Sequence, residues 1–150
     1  VLLSLFIMLG ILGSLIGIYL RLEIGKRRYN TVTRVIIQAP FSVYLGWITI
    51  ATVANVTTLL VDQNWNGFGV DPVTWTIVVI TVATLISFAV LYTRRDFVYA
   101  LVPIWAFFGI LSKRMQDVVV IDSLITTLYV VMGAIAIGIV AAIFFRPSTN

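Results

Sequence analysis

Apolar residues run almost unbroken through this chain, and polar residues punctuate them in five places. The runs cover residues 1–20, 35–61, 73–92, 97–111 and 119–145. As a helix the first rises about 30 Å, matching a hydrocarbon core, and the second about 40 Å, enough to span with tilt. The third is opened by Asp71 at an N-cap position and Pro72 at the first helical position. The fourth, only 15 residues with Pro103 inside, predicts a short span, a kinked one, or a segment sheltered by neighbours. The last is closed by Arg146 and Pro147. The pattern predicts an all-α fold: one polytopic transmembrane helical bundle of about five spans over residues 1–150.

One run departs from plain hydrocarbon. Residues 35–61 carry no charge, yet Tyr44, Trp47, Ala51, Asn55 and Thr58 recur at three- and four-residue steps and share one helical face. An amide, a phenol and an indole are costly against lipid tails and turn toward other helices or a cavity. The face therefore reads either as a ligand pocket around Trp47 and Tyr44 with Asn55 deeper, or as helix–helix hydrogen bonding beside an aromatic belt. Trp47 lies about 18 Å into the run, deep for a belt residue.

Composition supports the bilayer assignment. Of the residues 61% are hydrophobic and 11% charged, against about half and a quarter in soluble domains, and mean hydropathy is +1.09. The net charge of +4 does not mark a nucleic-acid binder, because the ten cations sit in short loops between apolar runs. With alternating spans eight cations fall on one side and two on the other. The positive-inside rule then places 21–34, 93–96 and the C-terminus in the cytoplasm. The chain has neither Cys nor His, so disulfides, thiolate metal sites and the usual general base near neutral pH are excluded. Its six carboxylates, among them Asp96, fall at span ends or in loops. No acid–base pair is visible within a span, which disfavours catalysis and ion coupling. Asp96 is expected to N-cap the fourth span. The chain opens on Val1 inside an apolar run, and is expected to be a portion of a longer protein.

Small residues mark two packing faces: Gly13 and Gly17 form a GxxxG in span one, and Ala134, Gly138 and Ala142 repeat every four residues in span five. Both serve intrachain packing or dimerisation. A sterol-type pattern occurs at Leu15, Tyr19 and Arg21 and again at Val90, Tyr92 and Arg94. The segment Asn64–Gly69 reads as an interfacial turn or a lid.

The segment Trp47-Ile-Thr-Ile-Ala51-Thr52-Val-Ala-Asn55 resembles the W-x3-A-T-x2-N pattern on the last helix of the TspO/MBR proteins, the tryptophan-rich sensory or translocator proteins. Span one then resembles their fourth helix. The Pro usual four residues before that Trp is replaced by Val43, and the family's W-x-P motif is absent. Spans three to five resemble the C-terminal extension of longer relatives, in which a run like Tyr99-Ala-Leu-Val-Pro-Ile-Trp105-Ala occurs. The resemblance implies binding of planar lipophilic ligands such as tetrapyrroles and sterols, often by a dimer, with Trp47, Ala51 and Asn55 as the matching positions. A porphyrin here would lack a His or Cys axial ligand and would be held by stacking on Trp47 or Tyr44.

Three functions follow as expectations: a non-enzymatic binder or sensor of a tetrapyrrole-like or other lipophilic ligand, a structural subunit of a larger membrane complex, and an uncoupled carrier of a small hydrophobic solute. The expected partners are the lipid bilayer and a second copy or a larger membrane complex, with no nucleic acid.

Overall fold

The computed structural model describes residues 2–26, 30–62, 66–116 and 121–144. Its helices are α1 (Leu2–Arg21), the single turn α2 (Thr31–Thr33), α3 (Ala39–Asp62), α4 (Pro72–Arg94), α5 (Phe97–Arg114) and α6 (Asp122–Phe144). A π-helical turn at Arg34–Gln38 joins α2 to α3. Among the described residues five stretches are long and apolar enough to cross a membrane: Leu3–Arg21, Thr31–Thr57, Pro72–Arg94, Phe97–Arg114 and Asp122–Phe144. The fourth runs three residues past its apolar run because Lys113 and Arg114 continue the helix to its C-terminal end, where the dipole favours cations.

Helix starts follow their caps. Asp71 Oδ1 accepts from the backbone N–H of Val73 (3.0 Å) and Thr74 (3.1 Å), ahead of Pro72. Asp96 Oδ1 accepts from the Tyr99 N–H at 3.0 Å, the expected N-cap of α5. Only Arg95 and Asp96 separate α4 from α5, and Arg95 reverses the chain from a left-handed conformation (φ 51°).

Within the spans, hydroxyls that lipid would leave unpaired donate back to their own helix. Thr49, Thr84, Ser87 and Thr127 each bond the carbonyl four residues earlier, at 2.7 to 2.8 Å.

Helix α5 packs on α3, α4 and α6, while α1 packs on α3. One core joins α4, α5 and α6 through Ile80, Leu91, Phe107, Leu128 and Ile135. A second joins α1 and α3 to the start of α5 through Leu15, Tyr19, Leu45, Ile48 and Tyr99. Pro103 is fully buried inside α5 and cannot bond the Tyr99 carbonyl four residues back. Gly46 of α3 lies against that place: a Cβ there would stand 3.4 Å from the Tyr99 carbonyl oxygen and 3.0 Å from Val102.

Of the two small-residue faces, that on α6 is the one packed against another helix among the described residues. Gly138 and Ala142 are buried, and a Cβ on Gly138 would lie 2.6 Å from Phe88 of α4. Ala134 is half-buried on the same side. Gly13 and Gly17 are exposed, with no neighbouring atom within 4 Å of a Cβ added there. Helix α1 meets α3 through the opposite side, bearing Leu15 and Tyr19.

Candidate functional site

Helix α3 presents two chemically different sides. Tyr44, Trp47, Ala51 and Asn55 lie together, as their spacing requires, and the structure leaves Tyr44 and Trp47 exposed and Ala51 and Asn55 half-buried. Tyr44 is 47% exposed and Trp47 45%. Trp47 meets Trp105 of α5 with ring centroids 5.2 Å apart and planes tilted by 38°. Asn55 spends its amide on its own helix, donating from Nδ2 to the Ala51 carbonyl at 3.2 Å. Thr58 continues the helix, and its side chain lies outside the described part. The stripe thus forms an aromatic and amide-bearing strip on the outer surface, extended by Trp105.

A groove of about 520 Å³ opens on the other side, between the second half of α3 and the first half of α4. Thr52, Val53, Val56 and Thr57 line it from α3, and Trp75 and Val79 from α4. At 3.6 residues per turn these α3 positions point nearly half a turn away from Trp47 and Asn55, so one small ligand does not touch both. The groove exists because α3 and α4 make few contacts: α3 is held by α1 and α5, and α4 by α5 and α6. Its rim is the turn Gly67–Gly69, where the Trp75 indole N–H donates to the Gly67 carbonyl at 2.8 Å. Gly67 has φ +61°, and a Cβ there would stand 2.7 Å from the Trp75 indole nitrogen, so this fit needs glycine. Phe68 next to it is 80% exposed, in keeping with an interfacial turn. Residues 64 and 65 of the segment Asn64–Gly69 lie outside the described residues.

At the opposite end of the bundle sits a cluster that sequence reasoning missed. Asp96, only 6% exposed, accepts through Oδ2 from the Tyr19 hydroxyl at 2.8 Å and the Ser42 hydroxyl at 2.5 Å. One side chain thereby ties α1, α3 and α5 while also capping α5. The Arg94 guanidinium lies 5.9 Å from the centre of the Tyr19 ring. Tyr19, 4% exposed and bonded to Asp96, is withdrawn from any sterol contact; Tyr92, 59% exposed, is not. The reversal after α1 fits beneath: Gly25 has φ +81°, and a Cβ there would fall 1.7 Å from the Arg94 carbonyl oxygen. Gln38, one turn before Ser42, is buried with a side-chain nitrogen that meets no hydrogen-bond partner among the described residues. The only advance signal of the cluster was polarity: each member is a hydroxyl or carboxylate at a span end.

Asp71, at the groove end, is held below the usual carboxylate range. The cause is first the Thr74 hydroxyl, then the Thr74 and Val73 N–H groups.

A family model described as TSPO-like protein matches residues 1–143 and runs through all five spans, beyond the Trp47–Asn55 segment that carries the motif. No curated protein and no solved structure matches the chain.

Proposed function

Since the chain belongs to the TSPO-like family, we propose that it is a non-enzymatic membrane binder or sensor of a lipophilic ligand, and that the ligand lies in the α3–α4 groove. The observation that carries this reading is the groove: about 520 Å³, lined almost wholly by apolar groups, within the range of small-molecule sites. The loops 21–34 and 93–96 face the cytoplasm in this reading, so the groove opens toward the other membrane surface. Tetrapyrroles and sterols are the ligand classes that the family resemblance suggests, with Trp75 as the stacking ring in the groove.

The test is a titration with protoporphyrin IX and its uncharged dimethyl ester, following tryptophan fluorescence in the parent protein, Trp75→Phe and Trp47→Phe. Saturable quenching that weakens in Trp75→Phe supports the groove. Weakening in Trp47→Phe instead moves the site to the outer stripe. Linear quenching, the same in all three proteins, means partitioning into detergent and overturns the reading.

A structural subunit is the second reading, favoured by one observation: Gly13 and Gly17 and the Trp47–Trp105 pair lie open on the outer surface. Such a protein copurifies with its partners in mild detergent, and depends on Gly13 and Gly17 more than on Trp75.

A further inference from the structure

On the helical walls of the α3–α4 groove the side-chain donors are already spoken for, while Asn66 brings an amide to the rim turn. Thr52 Oγ1 donates to the Ile48 carbonyl at 2.7 Å, Thr57 Oγ1 to Val53 at 3.1 Å, and Thr76 Oγ1 to Pro72 at 2.8 Å. The Trp75 indole N–H is taken by Gly67. An occupant with hydrogen-bond acceptors along its body would leave them unpaired against these walls, whereas hydrocarbon gives up nothing there. The valines and threonines of the walls are β-branched and stiff at χ1.

Its length fits one leaflet. The α4 lining runs from residue 72 to 79, about 10 Å of helix. That lies within the roughly 15 Å that one leaflet contributes to a hydrocarbon core.

Charge at the rim narrows the head of such a molecule. The connection 62–72 holds Asp62 and Asp71 and no Lys or Arg. Asp71 is fully exposed beside the rim residue Pro72 and is ionised at neutral pH. A helix N-terminus ordinarily attracts anions through its free N–H groups. At α4 two of those groups, on Val73 and Thr74, are occupied by the Asp71 carboxylate itself. What the rim shows a headgroup is negative charge with its compensating donors consumed.

We infer that the groove seats a single hydrocarbon chain of a membrane lipid whose headgroup carries no net negative charge, and that Asp71 disfavours anionic heads. This rests on the reading of the groove as a ligand site and narrows it to a chemical class. A lipid of the surrounding leaflet and a free amphiphile such as a monoglyceride share that chemistry.

Single-tryptophan proteins test it. One keeps Trp75 in the groove and the other keeps Trp105 on the outer surface, with the remaining three tryptophans changed to Phe. Each is placed in phosphatidylcholine nanodiscs containing dibromostearoyl monoglyceride or, at pH 9, dibromostearic acid. The expected result is half-quenching of Trp75 by the monoglyceride at a clearly lower mole fraction than for Trp105. The fatty acid should need about two- to fivefold more at Trp75, the size of an exposed charge interaction, with no such difference at Trp105. Asp71→Asn should erase the difference, and it keeps the helix start because Asn caps as well as Asp. Replacing phosphatidylcholine by a non-lipid amphipol separates the sources: chain carried through purification marks a leaflet lipid, and an empty groove that takes up added monoglyceride marks a free amphiphile.

Equal mole fractions for the two heads at Trp75, or a difference that survives Asp71→Asn, would overturn the headgroup rule while leaving the groove as a site. Trp75 quenching that merely follows Trp105 for both probes would overturn the lipid site. Saturable quenching of Trp75 by the porphyrin ester in the same discs would then show that the groove binds a ligand of another class.

Discussion

The two ends of the bundle are held by opposite means. At the basic-loop end, a buried carboxylate gathers hydrogens from α1, α3 and the first turn of α5, and Gly25 lets the chain pass against the end of α4. At the other end α3 and α4 draw apart around apolar walls, and one indole–carbonyl bond fastens the rim. The comparison teaches that, among the described residues, the polar bonding that ties three helices together gathers at one end, while the other carries an apolar gap between α3 and α4. In lipid this division is natural: polar groups hold helices together by bonding, while an apolar gap carries no penalty for contact with hydrocarbon.

Cutting the tight end should give the largest effect. Asp96→Ala leaves the Tyr19 and Ser42 hydroxyls and the Tyr99 N–H without their acceptor, at about 1–3 kcal/mol for each buried group. A thermal scan in detergent should show a marked fall in the unfolding midpoint; an unchanged midpoint would deny that this end clamps the bundle. Gly25→Val should follow, by about 1–3 kcal/mol, because its Cβ meets a backbone carbonyl and its φ disfavours a side chain.

The open end should behave in the reverse way. Val56→Phe fills the groove from α3 and should leave the midpoint within about 1 kcal/mol, the range of a tolerated substitution, while abolishing saturable porphyrin-ester quenching. Loss of stability with binding intact would erase the contrast between the ends. Gly13→Leu with Gly17→Leu should cost the isolated chain almost nothing, since open space surrounds both. A shift in oligomeric mass by light scattering would show that the face serves a second copy or a partner.

The smallest expected effect concerns pH. The folded-state pKa of Asp71 lies below its unfolded value, so its contribution to the start of α4 is full above the ordinary carboxylate range. That contribution is lost as pH falls through the folded value. In a pH series, Asp71→Asn should flatten a shallow acidic decline in midpoint and change nothing at neutral pH.

The spans, their caps and the all-α class were legible because they depend on local pattern: apolar runs of membrane length, Asp71 before a Pro, Asp96 before an apolar turn. The stripe was legible as a shared face, since spacing fixes which residues lie together. Its direction was not. Only the placement of α1 and α5 decides that Tyr44 and Trp47 point outward, and no period within one helix contains that information. The groove escaped notice for a different reason: valine and threonine are ordinary residues in a span, and their significance lies in the distance between two helices. The Asp96 cluster joins residues 19, 42 and 96 through contacts that no single segment predicts. Of the small-residue faces, α6 and α1 looked alike in sequence, and only the partner against Gly138 told them apart.

The hydrogen bond between Tyr19 and Asp96 joins residues 77 apart in sequence, and that interval is also a delay. At about 5–20 residues per second of synthesis, the first span waits roughly 4–15 s for the carboxylate that completes its fastening. Until the joint between α4 and α5 leaves the ribosome, α1 and α3 have only their apolar contacts, and the Tyr19 and Ser42 hydroxyls need temporary acceptors. The fastening of the early pair of helices is therefore completed only once the chain has been made through Asp96.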